Sequence, residues 1–511
     1  MDNYTKERGA RIQAPICQRQ IVSEMSTDFS LPDYQPQIKR LLRVRATVCP
    51  PDKYVGGAGV ELSGRVDYAI LYTGNDGALY CVGESAEYQM KIPVEMSAVY
   101  DLNEGLTCDA DVVAETVVGR VVAPRKLSVK CRLRAGVRLW GIRRMEEAIK
   151  GKEESLERLC KEISCAHVFI GNSQPIRLGD EILLDANERD LRLILAEGEV
   201  CVSDTEAGSG EVNCRGEVIL KLLTADEGTD TVPKVQTRRI PFAASVPTDG
   251  AEVNCATTAD GVCTDLHVTV EEGRLLCEAT VLLRARAQRN ESVLYTKDLY
   301  STQSQCTCKK EICTLPIAMR CHNGNFSINA TVTAEEIGVR EGMQVFDVSL
   351  LPSVGALEFE NGKHYLTGRC RAQLIMGDGE DTVAQEIEMP FRYEMDGGEE
   401  AATDFDAAVS VMSSRARMDG ERISVDGELS VSICCRAETS FERMSEATLG
   451  DAIPTEGASY TVCYPSGEDT LWSVAKRYHR SVGELAHGNE LSSSAAADTT
   501  ASLDGVKYLL V

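Results

Sequence analysis

Three segments of this 511-residue chain repeat one pattern at a fixed distance. They are GRVDYAILY from Gly64, GEVILKLLT from Gly216 and GRCRAQLIM from Gly368, and their first residues stand 152 positions apart. Within each segment the alternate positions are mostly apolar, which is the period of a strand with one buried face. This repeat is far longer than the roughly 20 to 50 residues of a solenoid repeat, so we expect tandem modules rather than a continuous array.

Two further landmarks keep the same register: a proline after each segment and the start of a second alternating run. The prolines are Pro93, Pro241 and Pro390, and the runs start at Leu127, Leu275 and Ile423. Short strands at this spacing favour sandwiches or barrels over units in which helices connect parallel strands. We therefore expect a mainly β chain with three tandem sandwich-like or barrel-like modules.

The landmarks place the three modules at residues 1–142, 166–302 and 303–450. Between the first two lies the charged segment RRMEEAIKGKEESLERLCKEI, which is rich in helix-favouring residues. We expect residues 143–165 to form a helical linker. A small separate domain is expected at residues 455–511.

Charge and composition argue against several classes of function. The formal net charge is −25 and aromatic residues make up 5% of the chain, so binding to nucleic acid or anionic lipid is not expected. The sequence has no run of about 18 apolar residues, so no membrane span is expected. Its first residues also lack the apolar core of a signal peptide, which indicates a cytoplasmic protein with reduced thiols.

Residues that could catalyse a reaction form no recognisable motif. The sequence lacks a phosphate-binding Gly-Lys-Ser/Thr loop, a GxSxG elbow and an HExxH pair. The six histidines are scattered, and acidic residues are too abundant for one carboxylate pair to stand out. We therefore expect a non-enzymatic scaffold with no catalytic site and no cofactor.

One cysteine-rich stretch supplies possible zinc ligands. They are Cys306, Cys308, Cys313, Cys321 and His322. Thiolates and an imidazole in this number could form a tetrahedral zinc site. Their spacing lacks the usual cysteine pair separated by two residues, however, and Cys306 and Cys308 would lie on one face of a strand. Ordinary packing is the favoured interpretation, as it is for the adjacent Cys434 and Cys435.

The C-terminal stretch YTVCYPSGEDTLWSVAKRYHRSVGELAHGNEL, residues 460–491, has a different pattern. Its first residues alternate like a strand, and Asp469 or Thr470 can cap a helix with an apolar stripe. Ser481 stands three residues before Glu484, a capping box that predicts a second short helix. The final GVKYLLV predicts a closing strand, so the expected order is β-α-α-β.

This pattern, with G-D-T-L-W, S-V-A-K-R-Y and N-x-L, resembles the LysM domain. The resemblance implies a shallow groove for glycans that contain N-acetylglucosamine, between the loop before the first helix and the loop after the second. The matching positions are Gly467, Asp469, Thr470 and Leu471 on one side and Asn489 and Leu491 on the other. Glu468 departs from the family pattern by adding a negative charge between the glycine and the aspartate.

The order of three β-rich modules and one LysM domain also resembles the SipL-type spore morphogenetic proteins of clostridia. That resemblance implies an adaptor in the cytoplasm of the mother cell, whose LysM domain binds the coat ATPase SpoIVA at the forespore surface. Under this hypothesis Lys476 and Arg477, expected to be exposed on the first helix, belong to the partner-binding surface. The alternative is a peptidoglycan-binding protein. A hydrolase targeted by its LysM domain would need a catalytic site that the sequence does not show.

Overall fold

Alternating apolar residues form long antiparallel strands through most of the chain. In the computed structural model, the described residues are 10–95, 100–145, 148–150, 155–183, 191–226, 232–271, 273–340, 342–379, 381–395, 400–454, 461–491, 499–500, 502–504 and 506–511. In the segment that begins at Gly64, the alternate residues Val66, Tyr68 and Ile70 are buried, as the period of two predicts. The prediction of a mainly β chain with a small α/β domain at its end is confirmed.

Module one consists of two sheets that enclose an apolar core. Its strands are β1 (Ala10–Ser30), β2 (Ile38–Val48), β3 (Asp52–Gly56), β4 (Gly59–Gly74), β5 (Leu79–Pro93), β6 (Tyr100–Ala123) and β7 (Lys126–Met145). One sheet has the order β1-β7-β6, and in the other β4 pairs with β2, β3 and β5. The core contains buried residues from both sheets, such as Leu62 and Leu133.

Module two repeats this arrangement. The strands that follow module one are β8 (Ala148–Lys150), β9 (Leu156–Asn172), β10 (Ile176–Leu183), β11 (Leu191–Ala207), β12 (Glu211–Asp226), β13 (Lys234–Pro247), β14 (Ala256–Glu271) and β15 (Arg274–Ser301). One sheet has the order β11-β12-β13, and the other has the order β10-β15-β14 with β9 also paired to β15. The short β8 does not join these sheets.

Module three has the same two sheets. Its strands are β16 (Ser304–Thr333), β17 (Gln344–Glu360), β18 (Lys363–Gly377), β19 (Thr382–Met395), β20 (Asp404–Asp419) and β21 (Arg422–Ala452). The sheets have the orders β17-β18-β19 and β16-β21-β20, and β8 pairs with β21 in parallel.

The two sequence landmarks correspond to the central strands of the two sheets. The glycine-led segments lie in β4, β12 and β18, and the second runs lie in β7, β15 and β21. A side chain at Gly216 would collide with the Cys201 carbonyl of the neighbouring strand, and one at Gly368 would collide with Phe391. Each of the three glycines also lies opposite an aromatic residue of the next strand (Tyr88, Phe242 and Phe391), whose ring occupies the space of a side chain, and this explains why glycine recurs at this position.

The prediction of a helical linker at residues 143–165 is wrong. Its described residues belong to β7, β8, a single 3₁₀ residue and β9, and residues 146–147 and 151–154 lie outside the described part. β9 pairs with β15 from Leu156 opposite Ser301 to Asn172 opposite Arg284. Charged side chains such as Lys161 and Glu162 are exposed on this strand. Backbone pairing along the whole strand thus outweighs the local helix preference of its charged residues.

The three modules pack against one another around a shared apolar cluster. Two sets of equivalent residues, each spaced by 152 positions, meet there: Leu42, Ile194 and Phe346, together with Leu71, Leu223 and Ile375. All six are buried. The modules are therefore arranged about a pseudo-threefold axis and are not independent beads on a string.

Buried charges also join the modules near this axis. The Arg43 guanidinium of module one lies 2.6 Å from Asp347 of module three and 3.2 Å from Glu197 of module two. Burial raises the pKa of Glu197, but Arg45 and Arg43 outweigh this effect and hold it at about 2. Glu197 is therefore ionised at neutral pH, and the ion pairs fix the relative positions of all three modules.

A second layer of polar contacts runs from module to module in a closed cycle. Module two contacts module one through Arg286 and Asp109 at 2.8 Å, and module one contacts module three through Arg138 and Asp404 at 3.2 Å. The cycle closes where Arg436 of module three donates to Gln288 of module two at 3.3 Å. Each module thus contacts both of the others.

One pair of cysteines departs from the expectation that all thiols are reduced. Cys321 and Cys434 lie opposite each other in β16 and β21 and form a disulfide, so Cys434 is not the ordinary packing residue that was predicted. The antiparallel register, which sequence spacing could not reveal, brings the two sulfurs together. The other eighteen cysteines are free thiols, and most are buried or partly buried.

The C-terminal domain contains β22 (Val462–Cys463), α1 (Leu471–Arg477), α2 (Val482–Gly488) and β23 (Leu509–Leu510). The two strands pair in antiparallel orientation, which confirms the expected β-α-α-β order. Residues 455–460 and 492–498 of this predicted domain lie outside the described part. Neither of the two described helices has the length and apolar character needed to span a bilayer.

Candidate functional site

The first helix of the C-terminal domain begins with a capping box. The Thr470 side chain accepts a hydrogen bond from the backbone N–H of Ser473 at 3.0 Å, and the Ser473 hydroxyl accepts one from the Thr470 N–H at 2.9 Å. Thr470 is therefore the helix cap, and its hydroxyl is used in folding. The capping box predicted at Ser481 and Glu484 is not formed, because Ser481 makes no side-chain capping hydrogen bond.

Asp469 ties the loop before this helix together. Its carboxylate accepts hydrogen bonds from the Ser466 backbone N–H at 2.9 Å and from Arg477 at 2.5 Å. The hydrogen bond from Arg477, helped by the Ser466 N–H, lowers the pKa of Asp469 to about 2. Asp469 and Arg477, both predicted to contact a ligand or partner, are thus bound to each other across the first helix.

Asn489 has a similar structural role on the other side of the predicted groove. Its side-chain amide donates to the carbonyls of Leu485 and Leu510 at 2.9 and 2.8 Å and accepts from the Leu510 N–H at 2.6 Å. These bonds hold the end of α2 against β23. Leu491 is half-buried after α2, with its N–H bonded to the Ala486 carbonyl.

The C-terminal residues close over the loop that precedes α1. The Ser502 hydroxyl donates to the Gly467 carbonyl at 3.1 Å, and the Leu503 N–H donates to the Asp469 carbonyl at 3.0 Å. Leu471 is buried in the domain core and cannot contact a ligand with its side chain. Among the described residues, a side chain at Gly467 would find only Asp504 Oδ1 within 4 Å, at 3.9 Å. The open surface of the predicted groove therefore lies at Gly467 and the exposed Glu468.

The C-terminal domain is docked on the end of β15 in module two, a contact that sequence analysis missed. Asp298 accepts hydrogen bonds from the Trp472 indole N–H at 2.8 Å and from Lys476 at 2.6 Å. The Tyr300 ring packs edge-on against Trp472 with centroids 5.0 Å apart, and its hydroxyl donates to the Arg480 carbonyl at 2.7 Å. One face of α1 is thus covered by the body of the protein.

This docking changes the surroundings of Lys476. Sequence analysis expects it to be exposed and to bind a partner, but the structure places it in an ion pair with Asp298, with 41% of its side chain exposed. The contact could not be foreseen because Asp298 stands 178 positions earlier in the chain. Any partner that bound Lys476 would have to compete with this ion pair.

Acidification is expected to loosen the docked domain. Burial raises the pKa of Asp298, but hydrogen bonds from Lys476 and Trp472 outweigh it, so the pKa lies below its ordinary value. A carboxyl group with a lowered folded-state pKa stabilises the contact at pH values above its unfolded-state pKa. That stabilisation is lost as the pH falls through the folded-state value.

The pH effect can be followed by Trp472 fluorescence in a Trp140→Phe background, because these are the two tryptophans of the chain. We expect an emission change on acid titration that the additional change Asp298→Asn removes. Identical titrations with and without Asp298→Asn would show that this carboxyl group does not control docking.

The outer face of the small C-terminal sheet is a second surface that sequence analysis did not identify. Val462, Tyr464, Tyr508 and Leu510 are exposed by 48%, 76%, 55% and 39%. Val462 lies directly opposite Leu510 in the paired strands. The alternation of YTVCY predicted the strand but could not show that this apolar face is left uncovered in the described part of the chain.

The residues considered as zinc ligands are not gathered into one site. Cys321 is bonded to Cys434, and the sulfurs of Cys306 and Cys308 lie 3.5 Å apart near the start of β16. Among the described residues, no group of three His, Cys, Asp or Glu side chains is placed to hold a metal ion together. Cys306 and Cys308 pack near Leu299, close to the docked domain.

Comparison with protein families finds one match. The model of the LysM domain matches residues 468–495, which include both helices and the loop before the first. No curated protein matches the chain.

Proposed function

We propose that this protein is a non-enzymatic scaffold whose LysM domain binds a glycan containing N-acetylglucosamine. The match of residues 468–495 to the LysM family, a peptidoglycan- and chitin-binding module, carries the proposal. The proposal is supported by Gly467 beside the first helix, where the described residues leave room for a ligand.

The described residues of the predicted groove are held in place by hydrogen bonds within the domain. Asp469, Thr470 and Asn489 form hydrogen bonds within the domain. Their side chains therefore position the loops of the groove and are not free to bind a ligand. The docking on Asp298 and Tyr300 fixes the orientation of the domain relative to the three modules. Residues that are already held in this way need little further ordering on binding, which lowers their part of the entropic cost of capturing a glycan.

A bulky residue at Gly467 is expected to block the groove. We predict that Gly467→Leu lowers the affinity for a soluble N-acetylglucosamine hexamer at least tenfold, because the side chain would project into open space without disturbing the fold. The matched control is Gly483→Leu, on the exposed side of α2, where Ser481 Oγ is the only described atom within 4 Å of an added Cβ. Isothermal titration calorimetry with the full chain measures both. Equal loss in the two variants, or none in Gly467→Leu, would contradict glycan binding at this loop.

A second candidate function is an adaptor in spore coat assembly, working in the mother cell at the forespore surface with a SpoIVA-type ATPase as its partner. The exposed apolar face of Val462, Tyr464, Tyr508 and Leu510 favours it, because such a patch is typical of protein contacts. Under this hypothesis the double change Tyr464→Ser and Tyr508→Ser weakens binding to the immobilised ATPase and leaves glycan binding unchanged. Retention of full affinity in the double variant would remove this face from consideration.

A further inference from the structure

A cleft of about 290 Å³ opens where the three modules meet, far from the LysM domain in the chain. Module one contributes Arg45, and module two contributes Glu199, Thr237 and Arg239. Module three contributes Ser349 and the stretch 411–415 of β20. The cleft therefore exists only because the three modules are joined in one assembly.

The pseudo-threefold symmetry breaks at the inner wall of this cleft. Arg45, Glu197 and Ser349 are equivalent residues, spaced by 152 positions, and they carry a guanidinium, a carboxylate and a hydroxyl group. By contrast, Leu42 and its equivalents Ile194 and Phe346 in the shared cluster are all apolar. The wall is thus made of three different polar groups where symmetry alone would give three similar ones.

Hydrogen bonds hold these polar groups in place. Arg45 lies 2.9 Å from Glu197 and 3.2 Å from both Glu199 and the Ser349 hydroxyl. On the opposite wall, the register of β20 shifts between Val411 and Ser413, and a β-bulge of this kind can redirect side chains and carbonyls. The inner wall consequently presents fixed hydroxyl and carboxylate groups toward the cleft.

The rim of the cleft is positively charged. The Arg239 guanidinium forms an ion pair with Glu217 and donates a hydrogen bond to the Met412 carbonyl. The Arg415 side chain is exposed and makes no ion pair or hydrogen bond with the residues that the structure describes, although Asp426 stands opposite it in β21. In a chain with a net charge of −25, an exposed guanidinium beside a polar cleft, without an ion pair among the described residues, offers a site for an anionic group.

We propose that this cleft binds a small polyhydroxylated anion, a sugar carboxylate or a sugar phosphate. The anionic group binds Arg415 at the rim, and ligand hydroxyls bind Glu199, Thr237 and Ser349 on the walls. A volume of about 290 Å³ is at the lower end of ligand pockets, which span about 300 to 1,000 Å³, and suits a single sugar ring rather than a polymer. The inference is independent of glycan binding by the LysM domain, which contributes no residue to this cleft.

Calorimetric titration of the full chain with D-glucuronate, glucose 6-phosphate and neutral D-glucose tests the proposal. We expect at least one of the two anions to bind and D-glucose to bind at least tenfold more weakly than that anion. Comparison of the two anions distinguishes the carboxylate from the phosphate. Arg415→Gln is expected to reduce the affinity for the bound anion at least tenfold. The matched control Arg417→Gln, exposed two residues further along β20 and outside the cleft, should leave it unchanged.

Three results would overturn the inference. One is the absence of binding by either anion at millimolar concentration. Another is equal affinity for glucose and the anions, which would leave no role for the rim charge. The third is an equal loss in Arg415→Gln and Arg417→Gln, which would indicate general attraction to surface charge rather than a site.

Discussion

Replacing Arg43 with methionine is expected to lower the free energy of unfolding by about 3–5 kcal/mol. Only 2% of the Arg43 side chain is exposed, and it pairs with Asp347 and Glu197 of the other two modules. Without the guanidinium, the two buried carboxylates lose a shared counterion. Asp347 keeps its ion pair with Lys221, and Glu197 keeps its ion pair with Arg45 and a hydrogen bond from Ser349. The midpoint of urea unfolding measures the effect, provided that the transition is a single step.

The matched control for Arg43 is Arg369→Met. The Arg369 side chain is 76% exposed on β18 and pairs only loosely with Glu388, at 3.7 Å. Exposed ion pairs contribute little, so this change should alter stability by less than about 1 kcal/mol. If Arg43→Met were no more destabilising than this control, the buried charges would not be holding the modules together.

Trp472→Ala is expected to destabilise the C-terminal domain by about 3–5 kcal/mol. Trp472 is 6% exposed in the domain core, it packs against Tyr300, and its indole N–H is bonded to Asp298. The change therefore removes both a core side chain and part of the docking contact. Limited proteolysis should cut residues 461–491 at a protease concentration that leaves the unchanged protein intact.

Tyr464→Ala provides the comparison for Trp472. It removes an aromatic side chain of the same domain, but one that is 76% exposed, so the resistance to proteolysis should hardly change. Equal sensitivity of the two variants would mean that the domain is not organised around Trp472.

The periodicity of the sequence was sufficient to predict the three modules but not their assembly. Alternation at Val66, Tyr68 and Ile70 reports burial on one face of a strand, and this is a local property. The contact between Arg43 and Asp347 joins residues 304 positions apart, and no local pattern carries that information. Distant contacts also explain why the predicted helical linker is wrong. Pairing of β9 with β15 overrides the local helix preference of residues 143–165.

In the candidate site too, features set by neighbouring residues could be predicted from the sequence, but contacts between distant residues could not. The helix capped by Thr470 and the buried Trp472 follow from the pattern of G-D-T-L-W. The ion pair of Lys476 with Asp298 could not be predicted from this pattern, because Asp298 belongs to module two. Residues of the predicted groove, such as Asp469 and Asn489, fit the family pattern but are occupied in holding the loops.

Cosedimentation of the full chain with purified peptidoglycan, in competition with a soluble N-acetylglucosamine hexamer, tests the central proposal most directly. We predict that the protein pellets with peptidoglycan, that the hexamer releases it, and that the Gly467→Leu variant stays in the supernatant. A protein that does not pellet, or that pellets equally well with the hexamer present and with Gly467 replaced, would contradict glycan binding by the LysM domain.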